Sequence, residues 1–179
     1  RLTDLETPAL VLDRGVMERN IARMRDKADA MGLALRPHVK THKCVDVARA
    51  TSGGGAGPII VSTLKEADQF AAAGWDDIIY GVGIVPAKFA HMATLLRRGV
   101  DLKVVVDNPA VARALAAYAA DLDLVVPVLI EIDSDGHRAG IAPDDPALLE
   151  VARALQGPGV VLRGVLTHAG NSYLCVGDE

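Results

Sequence analysis

The stretch that decides the fold and indicates the chemistry of this chain reads LRPHVKTHK, from Leu35 to Lys43. We predict a strand over residues 33–39, and strand alternation puts Arg36, His38 and Lys40 on one of its faces. Burial and neighbouring cations lower the pKa of a lysine, and its neutral amine attacks a carbonyl carbon to form a Schiff base. The stretch therefore predicts a carbonyl-reactive Lys40 at a strand end, with a basic loop after a strand as the alternative.

The bulk composition excludes several classes of protein. The chain has 179 residues, half of them hydrophobic, which is enough for one compact domain with a sizeable core. Its net charge of −4 provides no basic surface for a nucleic acid. Two distant cysteines, Cys44 and Cys175, without metal-ligand spacing favour a reduced, cytoplasmic protein. We expect no membrane partner, because no apolar run is long enough to span a bilayer and no signal-peptide core is present.

Strand and helix patterns alternate along the chain. A short strand at 9–13 precedes a helix whose apolar stripe runs from Met17 to Met31. Six further strands are predicted at 33–39, 59–62, 77–82, 102–106, 124–132 and 160–167. They are rich in Val, Ile and Leu and show little alternation, which is typical of parallel strands covered on both faces. A doubly wound sheet and a (β/α) barrel both fit this α/β pattern.

Polar residues at the carboxyl ends of several predicted strands favour the barrel. Lys40, Asp107 and the segments 133–138 and 168–173 all follow strands, and a rim supplied by several strands is how a barrel builds a site. The first strand–helix turn has no GxGxxG sequence, which counts against a dinucleotide-binding sheet. A TIM-type (β/α)8 barrel needs eight strands. We therefore predict an incomplete barrel of about six strands, a partial domain that occupies residues 1–179.

Two of the rim loops carry candidate ligand-binding groups. Arg138 follows the Asp135-Gly136 turn and can aim its guanidinium at a phenolate or phosphate oxygen. His168 follows the last strand and can pack its imidazole against a planar ring, while Asn171 and Tyr173 offer hydrogen-bonding groups. For the loop with Arg138 the alternative is a charged loop exposed to solvent. For the loop with His168 the alternative is a histidine that is hydrogen-bonded for structural reasons before an Asn-Ser turn. No spacing of His, Cys, Asp and Glu residues indicates a metal site strongly.

A set of motifs resembles the D-serine dehydratase and D-threonine aldolase family, which consists of pyridoxal-phosphate enzymes of the alanine-racemase-like fold. The resemblance runs in order and at natural spacing from about residue 7 to residue 175. The motifs are TPA at 7–9, RPHVKTHK at 36–43, VSTLKEA at 61–67, DIIYG at 77–81, VDN at 106–108, EID at 131–133, HRAG at 137–140 and HAGNSY at 168–173. RPHVKTHK is specific, and with HAGNSY it is more similar to the D-serine dehydratase branch.

The resemblance implies pyridoxal 5'-phosphate bound covalently to Lys40. Arg138 matches the arginine that approaches the phenolic oxygen of the cofactor, and His168 matches a histidine near its ring. Tyr173 lies where the family contacts cofactor or substrate. We assign catalytic roles to Lys40 and Tyr173, and the candidate cofactor-binding residues are Lys40, His38, Arg138, His168, Asn171 and Tyr173.

The resemblance also implies parts of a protein that this sequence does not contain. In the family a C-terminal β domain follows the complete barrel, and the protein is a homodimer. That domain holds a divalent metal, zinc or manganese, so we assign no metal ligand in this chain. We expect residues 1–179 to lack this domain and the last two barrel strands.

The implied activity is that of a lyase acting on a small D-β-hydroxy amino acid, with deamination of D-serine to a 2-oxo acid and ammonia as the first expectation. In such a dehydratase a base such as the freed Lys40 removes the α-proton, and the metal assists departure of the β-hydroxyl. The alternatives are retro-aldol cleavage of the D-threonine type, racemisation, and a non-catalytic carrier of the cofactor. A class I aldolase that uses a Schiff-base lysine without a cofactor is a further alternative.

Overall fold

The computed structural model describes residues 2–176, so residue 1 and residues 177–179 of the predicted partial domain lie outside the described residues. Helices and strands alternate through this part of the chain. They are α1 (Arg14–Ala30), α2 (Val45–Thr51), β1 (Ile59–Val61), α3 (Leu64–Ala72), β2 (Asp77–Gly83), α4 (Phe89–Arg97), β3 (Asp101–Val106), α5 (Pro109–Asp121), β4 (Val126–Ile132), α6 (Ala147–Ala154) and β5 (Val160–Thr167). None of the helices in this range is both long and apolar enough to cross a membrane.

The strands form one parallel sheet in the order β1-β2-β3-β4-β5. Each strand pairs with the next strand in sequence, as in the wall of a barrel. A doubly wound sheet instead reverses its strand order at a switch point. The incomplete barrel is therefore confirmed, and the doubly wound alternative is wrong.

The predicted strand at 33–39 is not a strand. It meets β1 at one isolated parallel bridge, between His38 and Ile60, and Ile60 N donates to Pro37 O over 2.9 Å. Pro37 has no N–H with which to extend the pairing. The strand prediction was wrong because the segment pairs with β1 at this one bridge only, but the segment still lies beside β1, where the first strand of a barrel would be.

The segment that carries Lys40 is a turn of 3-10 helix over Val39–Thr41. Strand alternation therefore does not extend to Lys40, and the prediction that this lysine ends a strand was wrong. The strand predicted at 9–13 is also absent, because these residues are exposed and have no neighbouring strand. Asp13 instead caps α1, and its Oδ1 accepts a hydrogen bond of 2.9 Å from Val16 N.

The two faces of the sheet are covered to different extents. The outer face packs against the helices in a large core, whose largest fully buried side chains are Trp75, Tyr80 and Phe70. The inner face carries a small cluster of Ile79, Val105 and Leu129, with Ile60 and Leu166 packed against it. The helices thus stabilise the wall from outside, and the inner face is left for a site.

An ion-pair cluster fixes the segment before Lys40 to the amino-terminal end of the sheet. The Arg36 guanidinium donates two hydrogen bonds of 2.8 Å to the Asp77 carboxylate, and Lys103 Nζ lies 2.8 Å from Asp77 Oδ1. The hydrogen bonds from Arg36, supported by Lys103, hold the pKa of Asp77 below its usual value although burial acts the other way. Arg36 thereby anchors the segment although it has no strand of its own.

The last strand, β5, leads to a prediction about association. Its outer face exposes 67% of Val165, and its free edge is a template for pairing with another chain. We expect the 1–179 polypeptide, expressed alone, to elute from size-exclusion chromatography as oligomers or aggregates. A Val165→Lys variant is expected to shift toward the monomer, because a charge on an edge strand opposes pairing.

The matched control is Val125→Lys, since Val125 is also 67% exposed but precedes β4 and is not on the edge strand. This control is expected to leave the elution profile unchanged. A monomeric wild-type polypeptide with cooperative unfolding would contradict the prediction.

Candidate active site

A cavity of about 390 Å3 lies at the carboxyl ends of the strands. Segments far apart in sequence line it: the turn after residue 38, the ends of β1 and β2, the end of β4 with its following loop, and the end of β5. Four of the six predicted site residues line this cavity, namely His38, Lys40, Arg138 and His168. The barrel topology brings them together, as the rim prediction requires.

Glycines in β2 leave room in the cavity wall. A Cβ on Gly81 would lie 2.6 Å from Cγ2 of Ile60, and a Cβ on Gly83 would lie 3.6 Å from Oδ1 of Asp107. The first distance is shorter than a normal contact, so a side chain at position 81 would force Ile60 to shift where β2 passes β1. The absence of side chains here keeps the cavity open to a ligand.

The turn that presents Lys40 is anchored by apolar and polar contacts. The Val39 side chain is fully buried, whereas Lys40 is exposed at the cavity. Nδ1 of His38 accepts a hydrogen bond of 3.3 Å from Lys40 N, and His38 Nε2 lies 3.4 Å from Ser62 Oγ. These contacts fix the backbone of Lys40 and leave its amine free to reach a ligand.

A buried glutamate on α3 contacts both Lys43, which follows this turn, and Ser62, which follows β1. Glu66 Oε2 accepts a hydrogen bond of 2.8 Å from Ser62 N, and Lys43 Nζ lies 3.2 Å from Glu66 Oε1. Burial raises the pKa of Glu66, but the Ser62 amide and Lys43 together outweigh burial and hold this pKa below its usual value. Glu66 is therefore an ionised anchor. Thr63 caps the start of α3, since its Oγ1 accepts a hydrogen bond of 3.0 Å from Glu66 N.

Glu131 is a cavity residue for which the sequence pattern indicated no role beyond its motif. It lies on β4, is only 6% exposed and lines the cavity. Burial raises the pKa of Glu131 above its usual value, and Asp107 adds to this effect while Arg138 opposes it. Its position two residues after Leu129, on the inner face, was the signal that could have identified it.

Arg138 and His168 supply the remaining charged and aromatic groups of the cavity. Desolvation first, and then the positive charges of Arg138 and Lys40, lower the pKa of His168. A neutral imidazole beside a guanidinium suits contact with a flat, anionic ligand. The positions of both residues at the rim agree with the sequence prediction.

Asn171 and Tyr173 do not line the cavity. Both lie in a 3-10 turn over Gly170–Leu174, where Asn171 N donates a hydrogen bond of 2.8 Å to Asp135 Oδ2. Tyr173 is 75% exposed, and its hydroxyl lies 3.3 Å from His168 Nε2. Tyr173 therefore contacts His168, which lines the cavity, but does not line the cavity itself. The roles assigned to these two residues stay predictions.

Metal ligands are not assembled in the part of the chain that the structure describes. Within residues 2–176 no three His, Cys, Asp or Glu side chains come close enough together to hold a metal ion. The groups that converge on the cavity are instead an amine, a guanidinium, two imidazoles and a carboxyl. This set suits an organic anion with a carbonyl group.

Known proteins resemble this chain in sequence. The profile of the alanine racemase N-terminal domain matches residues 12–179. D-threo-3-hydroxyaspartate dehydratase from Delftia sp. (strain HT23) is 53% identical over 173 residues, which are 96% of this chain and 46% of that enzyme. D-threonine aldolase from Arthrobacter sp. is 35% identical over 175 residues, which are 95% of this chain and 45% of that enzyme. The chain thus spans about half the length of the curated relatives it matches.

The same similarity extends to solved structures. The structure of the Delftia dehydratase matches with a TM-score of 0.94 at 51% identity, over 98% of this chain and 47% of that chain. A C353A mutant of that enzyme has been solved in a metal-free form. These matches agree with the partial barrel described above.

The buried carboxyl of Glu131 leads to a prediction about stability. A raised pKa in the folded state means that the folded protein binds this proton more tightly than the unfolded chain does. Glu131 therefore lowers the free energy of unfolding as the pH rises above its unfolded pKa. We expect Glu131→Gln to increase this free energy at pH 7.5, by on the order of 1 kcal/mol, with little effect at pH 4.

Urea denaturation of the intact wild-type enzyme and of its Glu131→Gln variant at the two pH values measures this difference. Glu150→Gln, at an exposed position on α6, is the matched control, and we expect it to change stability by less than about 0.5 kcal/mol at either pH. If Glu131→Gln changes the free energy of unfolding equally at pH 4 and pH 7.5, the raised pKa of Glu131 in the folded protein is refuted.

Proposed function

This chain belongs to the alanine racemase N-terminal domain family, and from that membership we propose that it forms the cofactor-binding part of a pyridoxal-phosphate lyase. The proposed substrates are D-β-hydroxy amino acids. One observation carries the proposal: Lys40 is the lysine that lines the cavity, and its amine is accompanied there by Arg138. A carbonyl-reactive amine in the same cavity as a cation is what an anionic aldehyde cofactor needs.

The cavity residues fit pyridoxal 5'-phosphate, a flat ring that carries an aldehyde, a phenolic oxygen and a phosphate. Lys40 would hold the aldehyde carbon covalently, and Arg138 would pair with the phenolic oxygen. His168 would lie near the ring, as its neutral imidazole allows. The glycines at 81 and 83 and a volume of about 390 Å3 leave space for a ring of this size.

When bound, the cofactor would supply an electron sink for the charge that develops at the α-carbon of the substrate. The protein's own residues hold and move protons around that carbon. Once its amine is free, Nζ of Lys40 is the base that takes the α-proton. Arg138 would pair with the phenolic oxygen of the cofactor. Burial raises the pKa of Glu131, so Glu131 keeps its carboxyl proton to a higher pH than an exposed glutamate would.

The relatives support a finer proposal about the reaction. The Delftia enzyme, at 53% identity, is a dehydratase of D-threo-3-hydroxyaspartate, so we propose elimination from a substrate of that kind first. D-serine, which the motifs favour, is the second substrate proposed. The second candidate reaction is retro-aldol cleavage, supported by the 35% identity to a D-threonine aldolase.

Other features of the whole enzyme are proposals as well. A metal-free form is known for a variant of the Delftia relative, which supports a metal in this protein. That the metal is divalent, zinc or manganese, is implied by the resemblance alone. Its ligands would lie in the C-terminal β domain implied by the resemblance. A homodimer and a cytoplasmic location stay predictions from the sequence.

The reaction can be tested with the intact enzyme, pyridoxal phosphate and added zinc or manganese. We expect D-threo-3-hydroxyaspartate and D-serine to yield ammonia and a 2-oxo acid, and their L-enantiomers to yield neither. Chromatography of the 2-oxo acids and an ammonia assay measure the products. Glycine with an aldehyde would identify the aldolase instead, and a protein that binds the cofactor without any product would be a carrier.

The covalent role of Lys40 can be tested by reduction and mapping. Borohydride treatment of the cofactor-loaded protein is expected to leave the pyridoxyl mass on the peptide that contains Lys40. Lys40→Arg is expected to lower kcat/KM by about 10³-fold or more, because an essential reacting group is lost. Lys65, exposed on α3, is the control position, and Lys65→Arg should retain activity. Label on Lys43 or Lys65 would show that the assignment is wrong.

A further inference from the structure

His38 occupies an unusual position for a histidine. It is the N-cap of the 3-10 turn over Val39–Thr41, and Nδ1 of its ring accepts a hydrogen bond of 3.3 Å from Lys40 N. Ser, Thr, Asp and Asn are the usual N-caps, because their side-chain oxygens accept from the first free amides. A histidine can do so only while Nδ1 carries no proton.

The second ring nitrogen of His38 is also occupied. Because Nδ1 accepts, the hydrogen of the neutral ring belongs on Nε2, and Nε2 lies 3.4 Å from Ser62 Oγ. Ser62 is itself held, since its backbone N donates to the buried Glu66 carboxylate over 2.8 Å. The ring therefore connects the backbone of Lys40 to an anchor in α3, and neither nitrogen is free for a ligand.

The charged groups that face His38 come from three parts of the fold. Lys40 lies on the same segment, Glu66 lies on α3, and His168 follows β5. Burial first, and then Lys40, lower the pKa of His38, and His168 acts in the same sense while Glu66 opposes it. The neutral ring that the two hydrogen bonds require is thus favoured at neutral pH.

We propose that His38 is a positioning residue that holds the turn of Lys40 through its neutral Nε2–H tautomer, in place of the cofactor-binding role predicted for it. The proposal rests on the proposed function for the role of Lys40. Protonation of Nδ1 removes the acceptor and puts a proton opposite the Lys40 amide, so the cap is lost. Cofactor attachment to Lys40 should therefore weaken on the acid side.

The experiment uses the intact protein and follows attachment of pyridoxal phosphate by visible absorbance and by borohydride labelling of Lys40 between pH 5 and 8. We expect His38→Ala to weaken attachment at neutral pH by about fivefold, the effect of a lost N-cap. Asn accepts from the same amide and does not titrate, so His38→Asn should restore attachment at neutral pH and lose less of it on the acid side than the wild type does. His91→Ala, on α4, is the matched control and should match the wild type.

A measurement without the cofactor separates the two proposals. Nitrogen-15 NMR of the imidazole of His38 in the unloaded protein is expected to show an unprotonated Nδ1 and a protonated Nε2 at neutral pH. The opposite tautomer would overturn the inference whether or not the variants fold. So would a His38→Asn variant that behaves like His38→Ala. A wild-type protein with the expected tautomer that never attaches the cofactor would refute the proposed function instead.

Discussion

The sequential parallel pairing of the five strands is the constraint on which the rest of the structure depends. Because each strand runs parallel to the one before it, all five carboxyl ends reach the same rim. The helices cover the outer face with apolar side chains, so the inner face and the rim are free to carry polar groups. Arg36 and Asp77 fix the opposite end, which keeps the segment before Lys40 against β1 without a strand.

Two buried glutamates at this rim illustrate how environment separates structural from chemical roles. Glu66 is paired with Lys43 and the Ser62 amide, and its pKa lies below the usual value. Glu131 faces the cavity, and burial raises its pKa. An ionised, paired carboxylate suits an anchor, whereas a carboxyl that keeps its proton suits contact with a ligand.

The similarity to known enzymes concerns the part of the protein that would hold the cofactor. Relatives with 53% and 35% identity over this part are named for two different reactions, a dehydration and an aldol cleavage. Similarity within these residues therefore supports a shared family and a shared site, but it does not favour one of the two reactions over the other. The proposed role of His38 in holding the turn of Lys40 concerns attachment of the cofactor, a step that both proposed reactions have in common.

The sequence by itself determined the helix–strand alternation, the parallel strands and the presence of Lys40, Arg138 and His168 at one rim. Periodicity and apolar runs are local properties, and parallel strands carry their following loops to a common edge. Only the tertiary structure decided that residues 33–39 form no strand, because pairing depends on a neighbour and Pro37 cannot donate to it. It also decided the role of Glu131 and the position of Tyr173 outside the cavity, since burial and contact depend on residues distant in sequence.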